Sequence, residues 1–289
     1  MNKENIRVFK FRNGNENDLD SIFDNYMWFS KLTELNDPYE GYAHFSNEDI
    51  DDDFRESFLT SLYEHDPDIG INASIEAKKT REKHERNDRN AFANYIDTKA
   101  IEIISNHHKE CKNNYKILSL SLEKDNHTFP APLNNMLMWS HYANGFKGFC
   151  IEFNFHKLTN SLMELNNSDI ATSPVNYALD GKLPKIKIKT FMQSTIDNSD
   201  ALSFEIFSAF VTKEKSWVYE NEIRLISEKG GKLQYDPECI NAIYVSEKAP
   251  AWLKSCILSC VTFKKTKIKV FLVDLHESEF KFGYRQINA

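Results

Sequence analysis

The sequence predicts an α+β fold with a mainly antiparallel or mixed sheet and a predominantly helical insertion at about residues 46–115. Three observations carry this. The chain opens on an alternating strand, Ile6-Arg7-Val8-Phe9-Lys10-Phe11-Arg12, and becomes strand-rich again after about residue 115. Strands and helices then alternate without the regular rhythm of a parallel sheet, and no glycine-rich turn follows a strand. Between these regions the composition turns strongly charged, with apolar residues at helical spacing. The 289 residues are read as a single α+β domain carrying that insertion.

Taken in order, the opening strand runs into a turn at Asn13-Gly14-Asn15. Asp18–Tyr26 reads as a short helix, with Leu19, Ile22, Phe23 and Tyr26 on one face. Met27-Trp28-Phe29-Ser30 is a strand, and Asn36-Asp37-Pro38-Tyr39-Glu40 a loop whose Asp37 suits capping of backbone amides. Within the insertion, acidic Glu48–Asp53 precedes a mixed-charge run over Lys78–Arg89 that includes Asn87, read as a solvated helix face. Phe92, Tyr95, Ile96, Ile101 and Ile104 then recur at helical spacing.

Ile117–Ser121 is a strand, and Asn135–Ala143 a helix stopped by Asn144-Gly145. Lys147–Phe153 is a strand, and Asp200–Thr212 a helix. Strands follow at 222–227, 242–246, 268–273 and 280–285, with a helix over Pro250–Ser259 before the last two.

Composition excludes several classes. Hydrophobic content of 41% and aromatic content of 13% rule out wholesale disorder, and 9 Gly and 8 Pro rule out a repeat or collagen-like chain. A net charge of −7 gives no global pull toward nucleic acid, although local patches stay open. No apolar run approaches the ~20 residues of a membrane span. The opening MNKENIRVFK lacks the apolar stretch of a secretion signal, so a cytoplasmic location is expected. Five cysteines without a CxxC pair read as reduced thiols, and no zinc-type ligand spacing is present.

The stretch that concentrates chemistry is Trp217-Val218-Tyr219-Glu220-Asn221-Glu222-Ile223-Arg224-Leu225-Ile226. Strand alternation places Glu220, Glu222 and Arg224 on one face. A charged trio on an apolar strand costs folding free energy unless the charges pair or line a cleft.

Four patches in order resemble the bacterial domain of unknown function 2971 family. They are Trp28-Phe29-Ser30 with Asn36–Glu40, Ser119-Leu120-Ser121, Met138–Tyr142 leading into Lys147-Gly148, and Lys215 with Trp217–Arg224. The resemblance runs from about Val8 to Asp274. More distantly the chain is similar to ADP-ribosyltransferases of the R-S-E type, including toxins that modify DNA. Those enzymes carry an arginine on an early strand, a serine strand and a later Glu/Gln-x-Glu. The matching positions here are Arg12, Ser119 or Ser121, and Glu220-Asn221-Glu222. The resemblance implies a split sheet with NAD in its cleft, and a toxin or phage-defence effector acting on a nucleic acid, a protein or water. A regulatory partner protein is also expected.

The chemistry of those residue types agrees. Cleaving the nicotinamide–ribose bond passes through an oxocarbenium-like transition state, which a fixed carboxylate such as Glu222 stabilises. Glu220 can take a proton from, or orient, the nucleophile. Arg12 offers a planar fork for the pyrophosphate, and Arg224 a partner for the glutamates. Ser119 or Ser121 aligns the ribose or the catalytic carboxylate. His141 and Tyr142 can stack on or bond to the ligand, and Asp37 borders the cleft.

Other readings stay open. A metal-dependent nuclease would gather Glu152, Glu220, Glu222 and Asp37 on Mg²⁺. A thiol nucleophile would pair Cys150 with His141, although Cys150 lies amid apolar neighbours. A non-catalytic sensor or interaction domain would use Glu220, Glu222 and Arg224 as structure alone.

Overall fold

Short polar residues set the first boundaries of this chain. The computed structural model describes residues 6–47, 49–86, 88–123, 132–264 and 267–287. Residues 1–5, Glu48 and Asn87, on which parts of the sequence readings fall, lie outside them. Strand β1 (Arg7–Arg12) leads to helix α1 (Glu16–Phe23), where the Asn15 carboxamide accepts from the Asp18 amide and completes a capping box. The expected continuation of α1 to Tyr26 is corrected. Asn25 adopts φ 53°, and Tyr26 opens strand β2 (Tyr26–Lys31).

Strand β3 (His44–Ser46) precedes the helices α2 (Asp52–Glu64), α3 (Ala73–Glu85) and α4 (Ala91–Asn114). In α4 the buried face is Phe92, Ile96, Ala100 and Ile104, whereas Ile101 is exposed. Strand β4 (Lys116–Leu122), helix α5 (Met136–Tyr142) and strand β5 (Phe149–Asn154) follow. Asn144 and Gly145, at φ 51° and 61°, stop α5 as expected. Gly148 then passes so close to the Arg12 carbonyl that a Cβ there would overlap it.

Helix α6 (Phe155–Asn166) begins directly on β5, with Asn154 as its cap. Next come strands β6 (Ala171–Pro174), β7 (Asn176–Ala178) and β8 (Lys185–Lys187), then helix α7 (Ile188–Asp197). Helix α8 (Ala201–Phe210) stops before strand β9 (Thr212–Glu214), correcting the predicted helix end at Thr212. Strands β10 (Glu222–Ser227), β11 (Gly231–Gln234) and β12 (Ile240–Ser246) precede helix α9 (Ala251–Phe263) and strands β13 (Lys269–Leu275) and β14 (Phe282–Gln286). The class is α+β with a mixed, mostly antiparallel sheet.

The chain divides into two compact units. The first takes the described parts of Met1–Leu35, Tyr115–Tyr177 and Lys213–Ala289, and the second takes Asn36–Asn114 and Ala178–Thr212. The second unit thus holds α2, α3 and α4 together with β8, α7 and α8. In it, β3 and β8 pair in parallel. Its Arg55 is anchored by Asp97 at 2.9 Å, and Arg81 gathers Asp53, Glu56 and Glu85.

The first unit is built on the large sheet, in the order β11-β2-β4-β1-β5-β12-β13-β14, with β10 pairing β4 and β6. β12 and β13 are parallel neighbours, and α9 supplies the crossover that such a pair requires. One edge of β4 pairs with β10 over six residues. Its other edge is shared: β2 meets it at Ile117 and Lys116, and β1 at Ser121 and Leu122. Between these two contacts the Lys10 ammonium donates to the Ser119 carbonyl at 2.8 Å, satisfying an acceptor that no neighbouring strand reaches on that edge.

The two faces of this sheet carry separate cores. Val8, Leu118, Leu120, Ile223 and Leu225 pack with α1, α6 and α9. On the other face Phe9 and Phe11 pack with Trp139 and Met138 of α5 and with Cys150, Ala242 and Tyr244. Among the described residues no helix is long and apolar enough to cross a membrane.

Candidate active site

Asn221 is the residue that assembles the site. At φ 44° it turns the chain between a short 3-10 segment, Lys215–Glu220, and the first residue of β10. Glu220 therefore does not share a strand face with Glu222 by alternation, contrary to the sequence expectation. A left-handed turn brings the two carboxylates together instead. The Asn221 carboxamide fastens the turn by donating to the Leu122 carbonyl.

Lys213, from β9, stands between the carboxylates. Its Nζ is 2.7 Å from Glu220 Oε2 and 2.9 Å from Glu222 Oε2. Arg224 Nε donates to Glu222 Oε1 at 2.8 Å. All four side chains are buried, Arg224 completely. Two cations thus balance two anions in a region of low polarisability, where such pairs are strong but demand complete partnering.

The remaining contacts divide the roles of the two glutamates. Ser119 lies opposite Arg224 and Ser121 opposite Glu222 in the β4–β10 register, and the Ser119 hydroxyl bonds to Glu222. The Glu222 amide donates to the Tyr177 phenol oxygen at 2.9 Å. Burial alone would raise the Glu222 carboxyl, but Arg224, Lys213 and the Ser119 hydroxyl override it and hold it down at about 2. Glu220 moves the other way. Burial raises it and the Glu222 charge adds to that, against the pull of Lys213. Tyr142 donates its phenol proton to Glu220 Oε1. The two carboxyls are therefore pushed apart in acidity although one residue separates them.

An aromatic rim surrounds Glu220. Lys213 Nζ lies 5.1 Å from the centre of the Trp217 ring. His141 Nδ1 and the Tyr219 hydroxyl are 2.9 Å apart, and the Asn135 carboxamide donates to the Tyr219 carbonyl at 2.9 Å. His141 is exposed, and Tyr142, Trp217 and Tyr219 are half-buried. Planar rings beside a buried charge cluster offer stacking surface with polar tips.

The structure brings together Glu220, Glu222, Arg224, Ser119, Ser121 and Tyr142, with His141 joined through Tyr219. It does not bring Arg12. Phe9 registers with Ser121 and so shares a face with Glu222, and Arg12, three residues on, points to the opposite face. There it meets Asp18 of α1 at 3.5 Å and the Met27 sulfur. Asp37 belongs to the second unit, where its carboxylate accepts from the Tyr39 amide at 2.9 Å, as a turn-forming aspartate does.

Sequence reasoning missed Lys213, Tyr177 and Lys10. A lysine directly after the apolar run Phe210-Val211 was the available signal for Lys213. Lys10 was hidden in plain alternation; burial lowers its ammonium to about 7, and it feels the charges of Arg12, Glu222 and Glu220.

The other chemistries find less support in the geometry. Glu152 lies in the same register row as Glu222 but three strands away, roughly 14 Å at ordinary strand spacing, and it is held by Tyr244 and Asn241. Among the described residues no group of three His, Cys, Asp or Glu side chains could hold a metal ion. Cys150 is buried, and burial with the Glu152 charge pushes its thiol well up, away from a nucleophilic thiolate.

Fold and site together define an α+β protein with a buried Lys-Glu-Glu-Arg cluster on its main sheet. Residues 138–225 match the family described as Protein of unknown function (DUF2971), and the chain resembles that family over this stretch, which holds the whole Lys213–Arg224 cluster. Comparison with curated proteins and with solved structures gave no match.

Proposed function

We propose that this cluster is the catalytic centre of an enzyme that cleaves the nicotinamide–ribose bond of NAD, passing ADP-ribose to an acceptor or to water. The observation that carries the reading is the pair Glu220 and Glu222, set on one lysine by a left-handed turn and driven to opposite acidities. Glu222, kept ionised, suits the oxocarbenium-like transition state. Glu220, raised above its ordinary value by burial, suits a proton from the incoming nucleophile. The Ser119 hydroxyl fixes the Glu222 carboxylate. His141, Tyr142, Trp217 and Tyr219 offer a stacking rim for a planar ring.

Arg12 has no part in this reading. Lys10 lies on the same face of β1 as Arg12, so neither of these cations enters the cluster, although the charges of Glu222 and Glu220 partly offset the burial that lowers the Lys10 ammonium. The setting we infer is a cytoplasmic effector of toxin or antiviral-defence type, acting on a nucleic-acid or protein acceptor and held by a regulatory partner. The support for that setting is the distant likeness to ADP-ribosyltransferases.

The test is nicotinamide release from NAD by the purified chain, with and without lysate and nucleic acid, beside Glu222→Gln. Release that the substitution abolishes, in a variant with native circular dichroism, supports the reading. No release under any condition and no thermal shift with NAD would leave the cluster as a structural ion-pair network, the second reading that its full burial and charge balance favour.

A further inference from the structure

A separate cavity of about 450 Å³ opens over the far strands of the main sheet, within the first unit. That volume lies in the range of small-molecule sites. Its wall carries Lys267 and Lys269, both exposed, and Arg7, whose guanidinium is also paired with Glu123, on a chain whose net charge is −7. Concentrating positive charge at one concave spot of an acidic protein favours an anionic ligand. Beneath them lies Glu152, a buried carboxylate in the middle of β5.

Glu152 is already oriented. Its Oε1 accepts from the Asn241 carboxamide at 3.1 Å and its Oε2 from the Tyr244 phenol at 2.8 Å, while Arg7 approaches to 3.7 Å. A carboxylate offers about four acceptor sites, so these bonds leave capacity for hydroxyl or amino donors from a ligand. Tyr244 stacks on Phe271 with ring centres 5.2 Å apart and planes 13° from parallel, and Phe271 is half-exposed in the cavity wall.

We propose that this cavity binds a nucleoside phosphate. The phosphate sits among Arg7, Lys267 and Lys269, the ribose hydroxyls donate to Glu152, and the base lies against Phe271. Each part of the wall then has a matching part of the ligand: paired cations for the phosphate, a fixed acceptor for the vicinal hydroxyls, and an aromatic face for the planar base. The proposal stands apart from NAD cleavage at Glu220 and Glu222, since none of those side chains lines the cavity.

The experiment is calorimetric titration of the full chain with AMP, ADP, adenosine and inorganic phosphate, for wild type, a Lys267→Ala/Lys269→Ala double variant and Glu222→Gln. Both lysines are exposed, so the double variant keeps its melting temperature in the absence of ligand. The expected result is saturable binding of AMP or ADP that salt weakens. Adenosine and phosphate alone bind at least about tenfold more weakly, the double variant loses at least about tenfold in affinity, and Glu222→Gln binds as wild type does. Absence of saturable binding at millimolar nucleotide overturns the proposal. So does binding that the double variant leaves unchanged, or phosphate alone binding as tightly as AMP. Loss of nucleotide binding in Glu222→Gln would place the ligand at the other cluster and equally overturn it.

Discussion

Lys213 Nζ stands 2.9 Å from Glu222 Oε2, with both side chains buried. The same ammonium holds Glu220 at 2.7 Å. Removing it leaves two buried carboxylates facing Arg224 alone among the four charges of the cluster. Breaking a buried pair by deleting one partner costs about 3–5 kcal/mol. Lys213→Met is therefore expected to lose stability in that range by urea denaturation. Glu222→Gln keeps Lys213 paired with Glu220 but removes the carboxylate that meets the completely buried Arg224, so a loss in the same range of about 3–5 kcal/mol is expected. A Lys213→Met variant as stable as wild type would show that the cluster carries no stabilising electrostatics.

Glu222 also sets a response to acid. Its folded-state value of about 2 lies below the ordinary 4.5. Between those values the unfolded chain binds more protons, so stability falls as pH falls. The contribution is complete above about pH 4.5 and is lost on approach to pH 2. Glu220, raised rather than lowered, acts with the opposite sign above its ordinary value. Glu222→Gln is expected to flatten the acid limb of the stability profile by up to one proton, about 1.4 kcal/mol per pH unit. Equal acid slopes for variant and wild type would remove Glu222 as the source.

Lys10 acts at the alkaline side. Its ammonium is lowered from 10.5 to about 7 by burial first and by Arg12 second, while Glu222, Asp18 and Glu220 pull it back up. From pH 7 to about 10.5 the unfolded chain holds the extra proton, so this group makes stability rise with pH across that window. Below pH 7 that contribution is gone. Lys10→Met is expected to abolish the rise, read as the difference between the two stability profiles. Its failure to change the slope would mean that the amine stays charged against the Ser119 carbonyl throughout.

Much of the fold was legible because burial writes period-two and helical patterns directly into the chain. Strand β10 has the predicted bounds, Glu222–Ser227, because Ile223, Leu225 and Ile226 fill a buried strand. Helix α6 escaped notice although Phe155, Leu158 and Leu162 mark its buried face, since it starts immediately after the last residue of β5 with no loop to announce it. The site was legible in its residue types and less so in its geometry. Alternation within β1 cannot say which face Arg12 takes relative to Glu222. That is fixed only by the pairing of Phe9 with Ser121, more than a hundred positions away. Lys213 reaches the glutamates through a 3-10 turn, which has no periodic signature in so short a segment.

Asn221 joins fold and site in one residue, and its variants separate two contributions. At φ 44° a non-glycine side chain is strained by about 1–2 kcal/mol, which asparagine tolerates better than most residues. Its carboxamide also donates to the Leu122 carbonyl, a bond worth about 1 kcal/mol. Asn221→Gly keeps the turn and loses the bond, so a loss of about 1 kcal/mol is expected, increased slightly by backbone entropy. Asn221→Ala loses both and is expected to cost about 2–3 kcal/mol. Glu220 is held against Lys213 by this turn, so nicotinamide release, where present, should fall more in the alanine variant than in the glycine variant. Equal effects of the two substitutions on stability would assign the role of Asn221 to its hydrogen bond, with the left-handed turn formed at no cost.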